Sequence, residues 1–282
     1  MFLKFMMIPH FYDFSVVRFK LPSRERLVKR LGEYDALAEF AVLSFYDFET
    51  TARSVQDTYK FVCDKAREYD VKIKGTVSME NYHEALYKSF MINTYAMFAE
   101  FIENVREDIR ILVNPDFVFV DDNNISDYER LKRSLETIDV YPPIPKWLEQ
   151  IEEYYRLVRN HVAHNGGDDE KCNKAFKRID LNAMYSEYKV FEKLAPNSPN
   201  SISMQDFYLY SASVKHIANI ITITLKDRIN WQNIGKTHPE LIKKHQSGTD
   251  RRKLARDVLI GYGYRYSKED LDKITADIRL QW

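Results

Sequence analysis

Apolar side chains recur at three- and four-residue steps along most of this 282-residue chain, the spacing that draws one stripe down a helix. In the first quarter Leu27, Leu31, Tyr34, Leu37, Ala41, Phe45, Phe48, Ala52, Val55, Tyr59 and Val62 keep that step. They predict one or two long helices, with an interruption near Gly32. A second long helix is expected from about Tyr82 to Val113, stopped by Asn114-Pro115 because proline disfavours helical geometry in the residue before it. Its stripe of Leu86, Ile92, Tyr95, Phe98, Ile102, Val105, Ile109 and Leu112 is widened by Phe90, Met97 and Phe101, which predicts burial on most sides. Phe117-Val118-Phe119-Val120 reads as a strand or an extended loop, and Lys72 to Thr76 alternates over too short a run to assign.

Local punctuation sets the later boundaries. Ser126 and Glu129 make a capping-box pattern for a helix through Leu131, Leu135 and Ile138. Pro145 suits a helix first turn, and the stripe Leu148, Ile151, Tyr155, Val158, Val162 runs on to Asn165-Gly166-Gly167, a helix stop. After a polar stretch and the loop-like Pro196-Asn197-Ser198-Pro199-Asn200, Ser203 and Asp206 cap a helix with the stripe Phe207, Tyr210, Val214, Ile217, Ile221, Leu225. Shorter helices are expected near Arg251 to Ile260 and from Ser267. With only 8 glycines and 9 prolines and no internal repeat, the pattern predicts an all-α fold with at most a small strand element.

Composition narrows the class. Hydrophobic residues at 45% and charged residues at 30% fit a globular chain, and a formal net charge of zero excludes a uniformly basic coat for nucleic acid. Cys63 and Cys172 lie far apart without metal-ligand spacing, which suits a reducing compartment. The apolar start, Met1 to Ile8, is cut short by Pro9 and lacks a small-residue cleavage site, so neither a signal segment nor a membrane span is expected and the cytoplasm is the default.

Candidate chemistry concentrates in Arg159-Asn160-His161-Val162-Ala163-His164, at the end of a helical pattern. Asn160 and His164 are four apart and share a face, whereas Arg159 and His164 are separated by about 140° around the axis. The two meet only if the arginine swings round or if both face a cleft shared with a second copy of the helix. His161 points about 200° from Arg159 and reads as packing or solvated. Histidine suits proton transfer near neutral pH, and arginine offers planar donors to phosphate oxygens. Together they fit RNA cleavage by the 2′-hydroxyl, with no metal or other cofactor called for: there is no H-E-x-x-H, paired C-x-x-C or phosphate-binding glycine loop. The plainer alternative is an arginine in a surface ion pair and a histidine capping carbonyls. His216, amid Val214 and Ile217, reads as a satisfied core histidine, while His10 and His83 have no partners in sequence. A second region, Lys226 to Arg256, carries a local basic excess that includes Lys243, Lys244, Arg251, Arg252 and Lys253. It suits a phosphate backbone, with Trp231, Tyr262, Tyr264 and Tyr266 nearby for base stacking, or else it is a solvated helical face.

The stretch from Arg159 to Gly166 resembles the RN-x-x-AH-G form of the motif of HEPN domains, helical bundles of which many are metal-independent ribonucleases. Phe98-Ala99-Glu100-Phe101 resembles the first long helix of that family, and Ile202 to Phe207 leading into Val214-Lys215-His216-Ile217 resembles its extended entry and final helix. The resemblance covers about Glu80 to Arg228. It implies a HEPN-like helical bundle at 80–230 with helical extensions at 1–79 and 231–282. It also implies a homodimer with the two motif helices facing each other. Carried over by position, Arg159 would stabilise phosphate, His164 would act as acid or base, Asn160 would orient them, and Glu100 would be an acidic accessory. The implied role is a prokaryotic toxin or antiviral effector acting on RNA, with an antitoxin or regulatory partner. Two other classes stand beside it: an inert dimerisation module of the same fold, and a nucleotide sensor that uses the basic C-terminal segment.

Overall fold

The computed structural model describes residues 21–72, 79–163 and 169–230, together with six isolated helical positions between 253 and 269. Those residues form eight α-helices and one 3₁₀ turn, with no strand among them. The helices are α1 (Pro22–Ser54), α2 (Thr58–Glu68), α3 (Met79–Leu112), α4 (Asp127–Glu136), α5 (Lys146–Ala163), α6 (Asp169–Arg178), α7 (Leu181–Glu187) and α8 (Met204–Lys226). The expected all-α fold is what the chain adopts.

Four long helices hold the core. α1, α3, α5 and α8 pack on one another, α4 lies on α3, α6 and α7 lie on α5, and α2 lies on α1. Contacts fix the directions. Arg26 donates to Asn104, Tyr34 meets Asn93 and Glu49 meets His83, so α1 and α3 run antiparallel. Arg24 bonds Asn219, while Lys215 pairs with Asp35 at 2.5 Å, so α1 is antiparallel to α8 as well. Tyr155 donates to Asp206, and Trp147 lies against His216, which makes α5 antiparallel to α8. The region 1–79, expected to be an extension, thus contributes Leu27, Leu31, Ala38 and Val42 to the same core as α3 and α8.

One local expectation is corrected, and an open choice between strand and extended loop is settled for the loop. α1 runs unbroken through Gly32, because burial of Leu27 and Leu31 before it and Ala38 after it outweighs the roughly 1 kcal/mol that one glycine costs a helix. The break comes later, where Val55 is extended and Asp57 caps α2. Phe117 to Val120 forms no strand: Phe117 and Phe119 are buried, Val118 is 72% exposed, and side chains take the backbone groups that a partner strand would pair. Arg110 donates to the Phe117 carbonyl, Arg130 donates to the Val120 carbonyl, and the Val120 N–H donates to Ser134 Oγ. Of Lys72 to Thr76, only Lys72 lies within the described residues.

The predicted caps are in place. Ser126 Oγ accepts from the Glu129 N–H at 3.2 Å, and Ser203 with Asp206 forms a full capping box on α8. α6 and α7, in what reads along the sequence as a polar stretch, are short amphipathic helices that lean on α5 through Cys172, Ala175 and Met184. Neither cysteine forms a disulfide; Cys172 is buried and Cys63 half-buried. Among the described residues no helix is long and apolar enough to cross a membrane.

Candidate active site on helix α5

α5 buries Trp147, Leu148, Ile151, Tyr154, Tyr155 and Val158 against α3 and α8, which fixes the outlook of its remaining positions. Asn160, four and eight residues after Arg156 and Glu152, lies with them on one ridge. All three line a cleft of about 980 Å³ bounded by α4, the turn at residues 123–126, Tyr95 of α3 and Arg178 of α6. The lining is polar and of mixed charge: Lys132, Lys146, Arg156 and Arg178 stand among Asp127, Glu129, Glu149, Glu152 and Glu153.

Arg159 is half-buried beside this cleft. Its Nη1 donates to Asn160 Oδ1 at 2.9 Å, and its guanidinium lies 4.7 Å from the centre of the Tyr95 ring. Among the described residues it pairs with no carboxylate, and its Nε makes no hydrogen bond. Among the described residues, then, the surface ion pair of the plainer alternative is not seen at Arg159. An arginine held in place by an amide and an aromatic face keeps donors for an anion.

Of the sequence-predicted residues, the structure brings Arg159 and Asn160 together at the C-terminal end of α5. His164, which follows the last described residue of that helix, lies outside the described residues, as do Asn165 and the two glycines after it. Glu100 is not drawn to the cleft. It forms an ion pair with Arg30 of α1, because it lies about 140° around α3 from Tyr95. Of the basic C-terminal group, Lys253 is helical and exposed, whereas Lys243, Lys244, Arg251 and Arg252 lie outside the described residues. So do His10, Trp231, Tyr262, Tyr264 and Tyr266.

His216 and His83 have structural roles. His216 is 3% exposed, its Nδ1 lies 3.1 Å from the Tyr188 hydroxyl, and burial pushes its pKa down to about 4. It packs on Trp147, twelve residues from Arg159 on α5 and therefore about 18 Å along the axis. His83 meets Glu49 at 2.8 Å, a contact that with Arg53 holds the Glu49 carboxyl below its usual range.

Glu152 and Arg156 are functional candidates that the motif did not flag. Glu152 is 2% exposed, and Arg156 Nε lies 3.9 Å from its Oε1. That is too long for a hydrogen bond. Burial raises its pKa to about 7; Arg156 and Lys132 oppose the rise, while Glu153 and Glu149 add to it. Tyr128 and Tyr210, both buried, are raised as well, first by burial and then by Glu149 and Glu152 for Tyr128 and by Glu152 and Tyr95 for Tyr210. The signal was present in sequence: an acidic residue four after Leu148 and three before Tyr155 sits on the apolar stripe. Among the described residues no group of three or more His, Cys, Asp or Glu side chains is placed to hold a metal ion. The chain matches no protein-family model, no curated protein and no solved structure.

Proposed function

We propose that the protein is a HEPN-type endoribonuclease that cuts RNA without a metal, as a homodimer in which Arg159, Asn160 and His164 of both copies line one cleft. The observation that carries this reading is Arg159: it has no carboxylate partner among the described residues, yet it is held in place by Asn160 and Tyr95, two residues that line a polar cleft. A guanidinium so held is preorganised for charge that develops on a phosphorane. The ribose 2′-oxygen attacks its own phosphorus; the 2′-proton passes to one histidine as the new O–P bond forms. The bond to the 5′-oxygen breaks as a second proton donor protonates that oxygen. The products are a 2′,3′-cyclic phosphate and a free 5′-hydroxyl. His164 supplies one or both proton transfers, from one copy or two.

The exposed Lys253 and the basic residues around it contact the RNA backbone in this reading. A cytoplasmic role as a toxin or antiviral effector, restrained by an antitoxin or regulatory partner, belongs to the same reading. Mixed RNA incubated with purified protein and excess chelator should yield discrete fragments, while DNA of the same length stays intact. RNA cleaved only when divalent metal is restored, or DNA cleaved equally well, would refute the proposal. The inert dimerisation module has one observation in its favour, since the Arg159–Asn160–Tyr95 contacts also tie α5 to α3. In that case Arg159→Ala would lower the melting temperature, and the wild-type protein would cut nothing.

A further inference from the structure

The floor of the cleft between α4 and α5 carries polar atoms that the fold leaves without a hydrogen bond, although Glu152 and Arg156 face each other as a loose ion pair at 3.9 Å. Glu152 Oε1, Arg156 Nε and Tyr128 OH are buried and make no hydrogen bond among the described residues. Glu152 itself is 2% exposed, yet it lines the cleft together with Arg156 and Tyr128. Buried polar groups are ordinarily satisfied, because an unpaired one costs about 1–3 kcal/mol and a charged one more. Several unpaired groups converging on one concave, open site mark a place where a ligand supplies the missing partners.

The pattern of those groups selects the ligand. Glu152 and Arg156 stand one helical turn apart and present an acceptor next to a donor. A carboxylate finds two adjacent N–H donors on the Watson–Crick edge of guanine, N1–H and the N2 amino group, and the O6 beside them accepts from a guanidinium. Adenine and cytosine each set a ring acceptor next to their single amino group, and uracil flanks its one N–H with two carbonyls. A cleft of about 980 Å³ has room for a nucleotide. With a base at Glu152 and Arg156, the cleft continues along the same face of α5 to Asn160, which leaves room there for the rest of the nucleotide.

We infer that this cleft receives one unpaired guanine of the substrate RNA, Glu152 accepting from N1–H and the N2 amino group and Arg156 donating to O6. The inference rests on the ribonuclease reading of the same helix face and gives that activity a base preference. Unpaired bases read on this edge are the common route to sequence-specific RNA recognition.

The test begins with the unaltered full-length protein. The four nucleoside 5′-monophosphates are titrated against it, with inosine monophosphate, which lacks only the N2 amino group, as a fifth. Guanosine monophosphate should bind at least tenfold tighter than the other three standard nucleotides, and inosine monophosphate should bind roughly tenfold more weakly than guanosine monophosphate. Glu152→Gln should abolish the preference, with a loss of roughly ten- to a hundredfold. Should that buried position not tolerate change, Arg156→Lys, with its side chain 21% exposed, should weaken guanosine monophosphate binding in the same direction. Mapped cleavage sites should cluster beside guanines in the wild type and spread over all four bases in Glu152→Gln. Equal binding of all nucleotides, or inosine and guanosine monophosphates binding alike, overturns the inference. RNA cut without base preference while guanosine monophosphate fails to bind removes the pocket and leaves the ribonuclease standing. Selective guanosine monophosphate binding with no RNA cleavage removes the ribonuclease and leaves the pocket.

Discussion

Arg159 and Glu152 lie seven residues apart on one face of α5, and they hold charge in opposite ways. Arg159 is half-buried with its donors turned to an amide and a ring, so truncating it leaves no buried acid behind. Arg159→Ala should lower RNA cleavage by about 10²- to 10³-fold while the helical circular dichroism stays that of the wild type. Unchanged cleavage would remove Arg159 from the site. Glu152 is enclosed, and its carboxyl titrates near 7 when folded rather than in the ordinary carboxylate range. A group whose pKa rises on folding binds more protons in the folded state. Its stabilising contribution is therefore complete below about pH 4.5 and is lost as pH rises through about 7. Asp108, raised by burial to about 6, acts with the same sign. Denaturant midpoints of wild type and Glu152→Gln should lie close together at pH 4.5 and separate by pH 8, with the variant the more stable. The reverse order at pH 8 would mean that Glu152 is stabilised as an anion.

At the scale of elements, helix ends were more legible than helix interiors. Pro145, Ser126 and Ser203 mark real boundaries because caps and prolines act on backbone groups within a few residues. Gly32 misled because its cost is local, whereas the burial that overrides it comes from α3 and α8. A Cβ at Gly32 would meet nothing within 4 Å. Gly32→Ala should therefore stabilise the protein by about 0.5–1 kcal/mol, read from a denaturant melt; a loss of stability would show that α1 needs the glycine. Asp206 is a stronger tie than its cap pattern suggests. Its carboxylate accepts from the Tyr155 hydroxyl, the Asn197 amide groups and both Ser203 donors. Asp206→Ala should cost about 3 kcal/mol or more and lower the melting temperature by several degrees, since buried donors on α5 and the preceding loop lose their acceptor. The motif on α5 was legible as a string of residues. Its relation to Glu152 was not: the apolar stripe marks Glu152 for burial, but only the fold shows the cleft that it lines with Asn160.

Across the whole molecule, α1 is bound into the bundle rather than appended to it, through Arg24 to Asn219 and Asp35 to Lys215. The cleft and Arg159 therefore sit on α5 within a scaffold of long helices. Helical spacing would set Arg159 and His164 about 140° apart, so in the proposed reading a second copy completes the site, and sedimentation at micromolar concentration should show a dimer. The most direct measurement follows RNA cleavage in excess chelator and identifies the fragment ends, for wild type, Arg159→Ala and His164→Ala. The account predicts 2′,3′-cyclic phosphate ends from the wild type and losses of about 10²-fold or more in each variant. Ends bearing a 5′-phosphate, activity only with added metal, or full activity in both variants would contradict it.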